Sequence, residues 1–212
     1  MIDPSARIHP TADLEANVTV GAGSSVWHRA QVRTGATIGS ECIIGRDAFI
    51  DEGVRLGNRV KIQNLALVYH GVTVEDGVFI GPNAILTNDR YPRAITADGA
   101  LARADDWTVS PITLRTGCSI GAGAVVVAGV DVGRFATVGA GSVVTRTVPD
   151  TPWWPGVPPA ASAGSAAAAS GSSTPPASWS GAITRARRAV PAVHPPTASP
   201  ATPASPAERS AT

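Results

Sequence analysis

An aliphatic residue occupies every sixth position over most of the first 150 residues. One series runs without a gap from Ile2 to Leu86, and a second runs from Leu114 to Val144. A period of six does not match the turn of a helix, but it is three times the two-residue period of a β-strand. A short strand and a turn in each repeat form one flat side of a prism, so three repeats of six residues complete a coil of eighteen.

Small residues and glycines support this interpretation. A small residue precedes many of the aliphatic positions by two, as at Ala36 and Cys42, and glycine often follows them, as at Gly39 and Gly45. Small side chains fit tight corners, and glycine adopts the backbone dihedrals of tight turns. Coils stacked at the strand spacing of roughly 4.8 Å would bury the aliphatic residues in one continuous core. The sequence therefore predicts an all-β fold, a parallel β-helix of hexapeptide repeats.

Composition narrows the range of partners. Lysine and arginine (17) nearly balance aspartate and glutamate (16), so the formal net charge is only +1 and favours neither nucleic acid nor a membrane surface as a partner. The sequence shows no charged-then-apolar leader and no long apolar run, so we expect a soluble, cytoplasmic chain. Cys42 and Cys118 occupy equivalent small-residue positions and are predicted to be buried thiols, and no Cys/His cluster has metal-ligand spacing.

The repeat is interrupted once, between Asn88 and Pro111. This segment is polar, and Tyr91 and Trp107 are aromatic residues that can anchor it. Long loops in compact domains are usually functional or disordered, and the aromatic residues favour an ordered loop that leaves the wall over about residues 88–111. A closed trimer of prisms would place this loop over a face of the neighbouring chain.

Residues eighteen apart should share a side of the prism on adjacent coils. In three such columns the residue lies two places after the inward aliphatic residue, near the rim of a face. For any single member, an ordinary exposed polar side chain is the simpler interpretation. The columns are Glu52, His70 and Asn88; His28, Arg46, Asn64 and Pro82; and Ser40, Asn58 and Asp76.

Seven short segments within residues 1–150 carry a family resemblance: Ser25–His28, Arg59–Asn64, Leu67–Tyr69, Asp76–Pro82, Leu86–Asp89, Pro92–Ala94 and Val138–Val144. Together they resemble the hexapeptide-repeat acyltransferases. Within that family they are most similar to bacterial N-acetyltransferases that act on UDP-2-acetamido-3-amino-2,3-dideoxyglucuronate for surface polysaccharide. The resemblance implies a left-handed coil, a homotrimer, and acetyl-CoA as co-substrate with no metal.

The resemblance also implies catalytic roles for two residues of one column. Asn88, at the end of the wall, would hold the attacking amine through its amide oxygen. His70 should lie directly beneath Asn88, where it is either a general base or an exposed surface histidine. A sugar amine is partly neutral at physiological pH, so we expect orientation to weigh more than base strength.

Binding roles follow from the same matching segments. Neutral hydrogen-bonding groups suit a sugar or a uracil edge, and an arginine suits a carboxylate or pyrophosphate. The predicted substrate-binding residues are His28, Gln63, Asn64, Tyr69, Asp89 and Arg93. The pantetheine arm in such folds runs along the groove between neighbouring prisms, and the predicted contacts are backbone groups of Gly121, Ala122, Gly139 and Ala140.

The last third of the chain departs from the family pattern. Residues 1–150 form the predicted β-helix domain, and residues 151–212 are rich in alanine, serine and proline, a composition typical of disorder. The segment Trp153-Trp154-Pro155 must be encoded TGG-TGG-CCN. Read one base out of frame, that stretch gives a Val-Ala pair close to the usual family ending, so the tail is either a genuine linker or a frameshifted ending.

Taken together, these features predict an acetyl-CoA-dependent N-acetyltransferase that acts on a UDP-linked 3-amino sugar. Two alternatives stay open. One is a related acyltransferase that uses a dTDP-sugar or another acyl chain. The other is a catalytically silent β-helix that serves as a scaffold.

Overall fold

A computed structural model describes residues 1–151. The predicted tail, apart from Thr151, lies outside the described residues. The domain boundary and the frameshift hypothesis therefore stay predictions.

Twenty short strands make up the described chain. Nearly all have two residues, the second of which is the aliphatic residue of the repeat. In chain order they are β1 Arg7–Ile8, β2 Asp13–Leu14, β3 Thr19–Val20, β4 Ser25–Val26, β5 Gln31–Val32, β6 Thr37–Ile38, β7 Ile43–Ile44, β8 Phe49–Ile50, β9 Arg55–Leu56, β10 Lys61–Ile62, β11 Leu67–Val68, β12 Val72–Val74, β13 Phe79–Ile80, β14 Ile85–Leu86, β15 Ile112–Leu114, β16 Ser119–Ile120, β17 Val125–Val126, β18 Asp131–Val132, β19 Thr137–Val138 and β20 Val143–Val144.

Every third strand belongs to the same parallel sheet. Sheet one contains β1, β4, β7, β10, β13, β16 and β19; sheet two contains β2, β5, β8, β11, β14, β17 and β20; sheet three contains β3, β6, β9, β12, β15 and β18. Strand partners lie eighteen residues apart, as in Phe49↔Leu67 and Leu67↔Ile85, except across the loop, where they lie forty apart, as in Ile85↔Val125. The predicted coil and its columns are therefore confirmed, and the fold class is an all-β parallel solenoid consistent with a left-handed β-helix.

The aliphatic positions line the inside of the prism. Ile44, Ile62 and Ile80 are fully buried, and so are the small residues at the corners, including Cys42 and Cys118. Both cysteines are free thiols, as predicted, and burial raises the pKa of Cys118 to about 12. The core is thus one continuous column of side chains, as the six-residue period requires.

Left-handed backbone conformations mark the corners. Several of these residues are not glycine, among them Asp47 (φ 56°) and Leu65 (φ 63°). Side chains complete other corners: Asn64 Oδ1 accepts the Arg46 N–H at 2.9 Å, and Asp76 Oδ1 accepts the Asn58 N–H at 2.8 Å. Polar residues in two of the predicted columns therefore cap the coil beneath them.

The predicted loop leaves the prism between β14 and β15. Its tip folds back on itself through an antiparallel bridge between Ile95 and Leu101, and a short 3₁₀ turn follows at Ala104–Asp106. Its return passes Gly71 (φ 84°), where an added Cβ would lie 2.5 Å from Val109 Cγ1. Coil stacking continues across the loop, because β12 pairs with β15.

Within residues 1–151 no helix has the length and apolarity needed to span a membrane.

Candidate functional site

Two corners flank sheet two, and they carry most of the predicted site residues. The corner between sheets two and three, here called the loop corner, holds Glu52, His70 and Asn88 and is where the loop leaves the prism. The corner between sheets one and two, here called the aromatic corner, holds Trp27 and His28.

At the loop corner, the ring of His70 has a defined orientation. Its Nδ1 lies 2.8 Å from the backbone carbonyl oxygen of Glu52, one coil below. A carbonyl oxygen only accepts, so Nδ1 carries the hydrogen and donates it. In the neutral imidazole, Nε2 then has a free lone pair. Because His70 is exposed, this lone pair is accessible to a bound reactant.

A buried carboxylate fixes the backbone around His70. Asp51 Oδ2 accepts the His70 N–H at 3.0 Å, and Asp51 Oδ1 accepts the Glu52 N–H at 2.8 Å. The Arg33 guanidinium lies 3.1 Å from Asp51 and 3.3 Å from Glu15. Asp51 therefore connects the residue that carries the ring to the residue whose carbonyl orients it.

The sequence predictions do not include Asp51. The available signal was its position directly after an aliphatic residue, where glycine often stands in this repeat. Glu15 serves a similar purpose lower in the same corner, where its Oε2 accepts both the N–H (2.9 Å) and the hydroxyl (2.8 Å) of Thr34. Those two hydrogen bonds lower the pKa of Glu15.

Asn88 lies at the root of the loop, one coil above His70. Its carbonyl oxygen accepts the Ser110 N–H at 3.0 Å, which joins the two ends of the loop. The preceding Thr87 is held by the next coil, since its Oγ1 accepts the Ala128 N–H at 2.9 Å. The half-buried Asn88 side chain has no hydrogen-bond partner within residues 1–151. A rigid backbone thus presents an amide that is available to a ligand.

Asp89 and Arg93 line a separate open cavity of about 970 Å³ within the loop itself. Asp89 Oδ1 accepts the Tyr91 N–H at 2.8 Å, and Arg93 Nη1 donates to the Pro92 carbonyl at 3.0 Å. Asp89 follows Asn88 directly in the chain, although neither Asn88 nor His70 lines the loop cavity.

The aromatic corner brings three other predicted residues together. His28, Gln63 and Asn64 line a surface depression of about 230 Å³ with Trp27 and Arg46. The Asn64 oxygen already accepts the Arg46 N–H, so its NH₂ group and one remaining lone pair of the oxygen are available to a ligand. The structure therefore separates His28, Gln63 and Asn64 from His70 and Asn88 by one side of the prism.

Tyr69 lies at the loop corner directly before His70, and the predicted cofactor residues lie on upper coils of the aromatic corner. Tyr69 is half-buried, and its ring is 5.5 Å from that of Phe49. Gly121 and Ala122 follow β16 at the aromatic corner, and Gly139 and Ala140 follow β19 one coil further on. A Cβ on Gly121 would collide with the Ala140 backbone, so close coil packing already explains that glycine. Contact with a cofactor at these four residues stays a prediction.

Among the described residues, no group of three His, Cys, Asp or Glu is arranged to hold a metal ion.

Known families match in two parts. Residues 1–95 match the model of the GMPPB C-terminal domain, and residues 111–146 match the hexapeptide repeat of succinyl-transferase. The described part of the chain is built of hexapeptide repeats. The gap between the two matches, residues 96–110, lies within the loop.

Curated relatives of these repeats include two kinds of protein. The bifunctional protein GlmU of Pseudoalteromonas atlantica is 31% identical over 176 residues, which cover 70% of this chain and 35% of that protein. The serine acetyltransferase of Escherichia coli K12 is 32% identical over 113 residues, which cover 52% of this chain and 40% of that protein. The chain thus spans between a third and two fifths of the length of these relatives.

Solved structures with similar coils include two acetyltransferases. One is a mutant of GDP-perosamine N-acetyl transferase from Caulobacter crescentus with CoA and GDP-perosamine (21% identity, TM-score 0.40, 70% of this chain and 49% of that one). Another is the acetyltransferase domain of PglB from Neisseria gonorrhoeae (22% identity, TM-score 0.41, 68% and 51%).

Proposed function

We propose that the chain is an acetyl-CoA-dependent N-acetyltransferase that acts at the loop corner on the amino group of a nucleotide-linked sugar. The observation that carries the proposal is the geometry of the loop corner. The Asn88 amide, which has no hydrogen-bond partner within residues 1–151, lies one coil above His70, whose Nε2 is freed because Nδ1 donates to the Glu52 carbonyl. The name of one curated relative, serine acetyltransferase, supports the reaction class.

The chemistry needs a neutral amine next to a thioester. The amine nitrogen attacks the carbonyl carbon of acetyl-CoA, and the C–S bond breaks as the tetrahedral intermediate collapses. The Asn88 amide oxygen accepts one N–H of the amine and so directs its lone pair at the thioester. His70 Nε2 takes the proton that the nitrogen loses, and this proton then passes to the departing thiolate.

The finer substrate assignment rests on sequence. The Lys61-Ile62-Gln63-Asn64 segment and the Thr87–Asp89 and Pro92–Ala94 segments resemble enzymes that act on UDP-2-acetamido-3-amino-2,3-dideoxyglucuronate. Arg93 on the loop is suited to the uronate carboxylate. We propose that sugar class as the acceptor, with a dTDP-amino sugar as the alternative.

The outer surface of sheet two supports self-association. Its outward positions form an apolar stripe over five consecutive coils: Phe49, Leu67, Ile85, Val125 and Val143. Val143 is exposed and the other four are half-buried within the described chain. A continuous apolar stripe on an outer face is typical of an interaction surface. We propose that these stripes meet in a homotrimer, whose neighbouring chains would adjoin the loop corner.

The proposal is tested by measuring thiol release from acetyl-CoA by the full chain with a panel of UDP- and dTDP-linked amino sugars. Release with one sugar, abolished by Asn88→Ala, is the expected result. No release with any sugar from folded protein would overturn the proposal and favour the scaffold alternative. Full turnover by Asn88→Ala would remove Asn88 from the mechanism.

A further inference from the structure

The depression at the aromatic corner has a stacking surface on one side. The rings of Trp27 and His28 are nearly parallel, at 9°, with centroids 6.1 Å apart. From the coil below, His9 stacks on His28 with ring centroids 3.6 Å apart. Because His9 covers one face of His28, the depression lies toward the coils above, where Gly45 and Asn64 line it.

A tightly packed glycine forms the floor of this depression. Gly45 lies at the middle coil, where an added Cβ would be 2.7 Å from the Asn64 backbone nitrogen, so close coil packing favours glycine here. Ile43 gives the depression an apolar wall, and Gln63 contributes an amide at its upper edge. Coils stack at roughly 4.8 Å, so a planar ring placed on Trp27 and His28 would lie beside Gly45 and below Gln63.

The rim of the depression is positively charged. Arg46 Nε lies 2.9 Å from Asp47 Oδ2, while Arg29 makes two hydrogen bonds to the same carboxylate at 2.8 and 2.9 Å. The Arg29 hydrogen bond is the main reason that the pKa of Asp47 is lowered. Two guanidinium groups share one carboxylate, so a net positive charge stays at the rim. The terminal nitrogens of Arg46 have no acceptor within the described residues.

We propose that this depression binds a nucleoside phosphate, with its base stacked on Trp27 and His28, its edge near Gln63 and its phosphate on Arg46. Aromatic rings bind any base through its π-face, and arginine binds phosphate through parallel N–H donors. The inference deepens the proposed function and rests on it for the source of the ligand. Both reactants contain this group: the nucleotide-linked sugar as a nucleoside diphosphate, and CoA as 3′-phospho-ADP.

Calorimetric titration of the full chain with UDP and, separately, with 3′-phospho-ADP tests the inference. Trp27→Ala should lower the affinity for the nucleotide about tenfold or more, while Trp27→Phe, which keeps a ring, should retain most of the affinity. Arg46→Gln should weaken binding and reduce its dependence on salt. Arg59→Gln is the matched control, because Arg59 is an exposed arginine at a different corner.

The two nucleotides distinguish the two sources. Selective loss of UDP binding in Trp27→Ala and Arg46→Gln assigns the depression to the nucleotide-linked sugar, and selective loss of 3′-phospho-ADP binding assigns it to CoA. Either result supports the inference. Failure of the wild-type chain to bind either nucleotide, or equal affinities in wild type and both variants, would overturn it.

This outcome is separable from the outcome for the acetyltransferase reaction. Thiol release with unchanged KM values in Trp27→Ala and Arg46→Gln would keep the proposed reaction and reject the nucleotide site. Nucleotide binding that depends on Trp27, without thiol release from any sugar, would keep the site and reject the reaction. Thermal melting of each variant checks folding, and both side chains are about half exposed, so both variants should fold.

Discussion

Sheets two and three have the same kind of interior and opposite exteriors. Inside, both present fully or nearly fully buried aliphatic residues, such as Val68 in sheet two and Val74 in sheet three. Outside, sheet three is polar at every coil, with Thr19, Thr37, Arg55, Thr73, Thr113 and Asp131, whereas sheet two is apolar from Phe49 onward. Since the interior alone accounts for the coil, the outer residues of sheet two must be explained by something other than folding.

The candidate site residues lie beside the apolar outer face of sheet two. The loop corner and the aromatic corner lie on the two edges of sheet two. An interface between copies of the chain has an apolar centre and a polar rim. Sheet two with its two polar corners has this arrangement, and the candidate ligand sites would lie at the rim. Sheet three, by contrast, has the composition of a surface that faces water.

The largest effect is expected from charging the outer face of sheet two. Leu67→Asp should abolish self-association, because it would bury a carboxylate without a partner at the interface. Thr73→Asp, the equivalent change on sheet three, should leave the assembly intact. Light scattering of both variants measures this difference. A wild-type chain that is monomeric at micromolar concentration would contradict the proposed interface.

The next largest effect is expected from removing His70, the proposed base at the loop corner. His70→Gln should lower kcat about 10²–10⁴-fold with little change in KM, because no side chain then accepts the proton. Glu52→Gln should stay within about twofold of wild type, since its backbone carbonyl still orients the ring. Steady-state thiol release gives both values. Equal rates for His70→Gln and wild type would show that His70 is an ordinary surface histidine.

A smaller effect is expected from the carboxylate that fixes His70. Asp51→Asn removes the charge that Arg33 faces and one of the two acceptor oxygens, so we expect a loss of about 1–3 kcal/mol in the free energy of unfolding and about tenfold in kcat.

The matched control for Asp51 is on sheet three. Asp131 accepts the Thr113 N–H at 3.2 Å and lies 3.3 Å from Arg115, so Asp131→Asn should lower stability without lowering kcat. Denaturant unfolding and steady-state kinetics on both variants make the comparison. If the two variants lose kcat equally, Asp51 has only a general structural role.

The smallest effect concerns the other edge of sheet three. Glu75 Oε2 accepts the N–H (2.8 Å) and hydroxyl (2.7 Å) of Thr116, and these hydrogen bonds lower the pKa of Glu75. A lowered folded-state pKa gives stability that is present above the unfolded value near 4.5 and is lost as the pH falls through the folded value.

Glu75→Gln should therefore lower Tm by about 2–4 °C at pH 7 and by progressively less below pH 4.5. Thermal melts of wild type and variant across this pH range test the sign. A difference that grows on acidification would contradict it.

The sequence was sufficient to predict the strands, the core and the columns, because one six-residue period determines all three. Glu52, His70 and Asn88 could be placed in one column from the sequence alone, since eighteen-residue register is a property of the repeat. The tip hairpin at Ile95 and Leu101 was not predictable, because the loop has no period.

The roles of Asp51 and Asn64 also needed the structure. Whether a corner side chain points outward or caps the coil beneath it depends on its rotamer, which the repeat pattern does not contain. The apolar exterior of sheet two could have been predicted from the sequence. It is seen when the residues that precede the buried aliphatic positions are grouped by sheet.

The continuity of stacking across the loop has a further consequence. Glu75 and Thr116 are 41 residues apart in sequence, and Glu15 and Thr34 are 19 apart, yet the two pairs form the same kind of hydrogen bond. The stacking of the coils therefore does not depend on the length of the segment inserted at the loop corner. That corner is a natural grafting point: a segment of different length and sequence can be exchanged there while the prism, and the histidine and asparagine displayed on it, keep their positions. Under the proposed function, exchanging this one loop would change the acceptor specificity while leaving the rest of the fold unaltered.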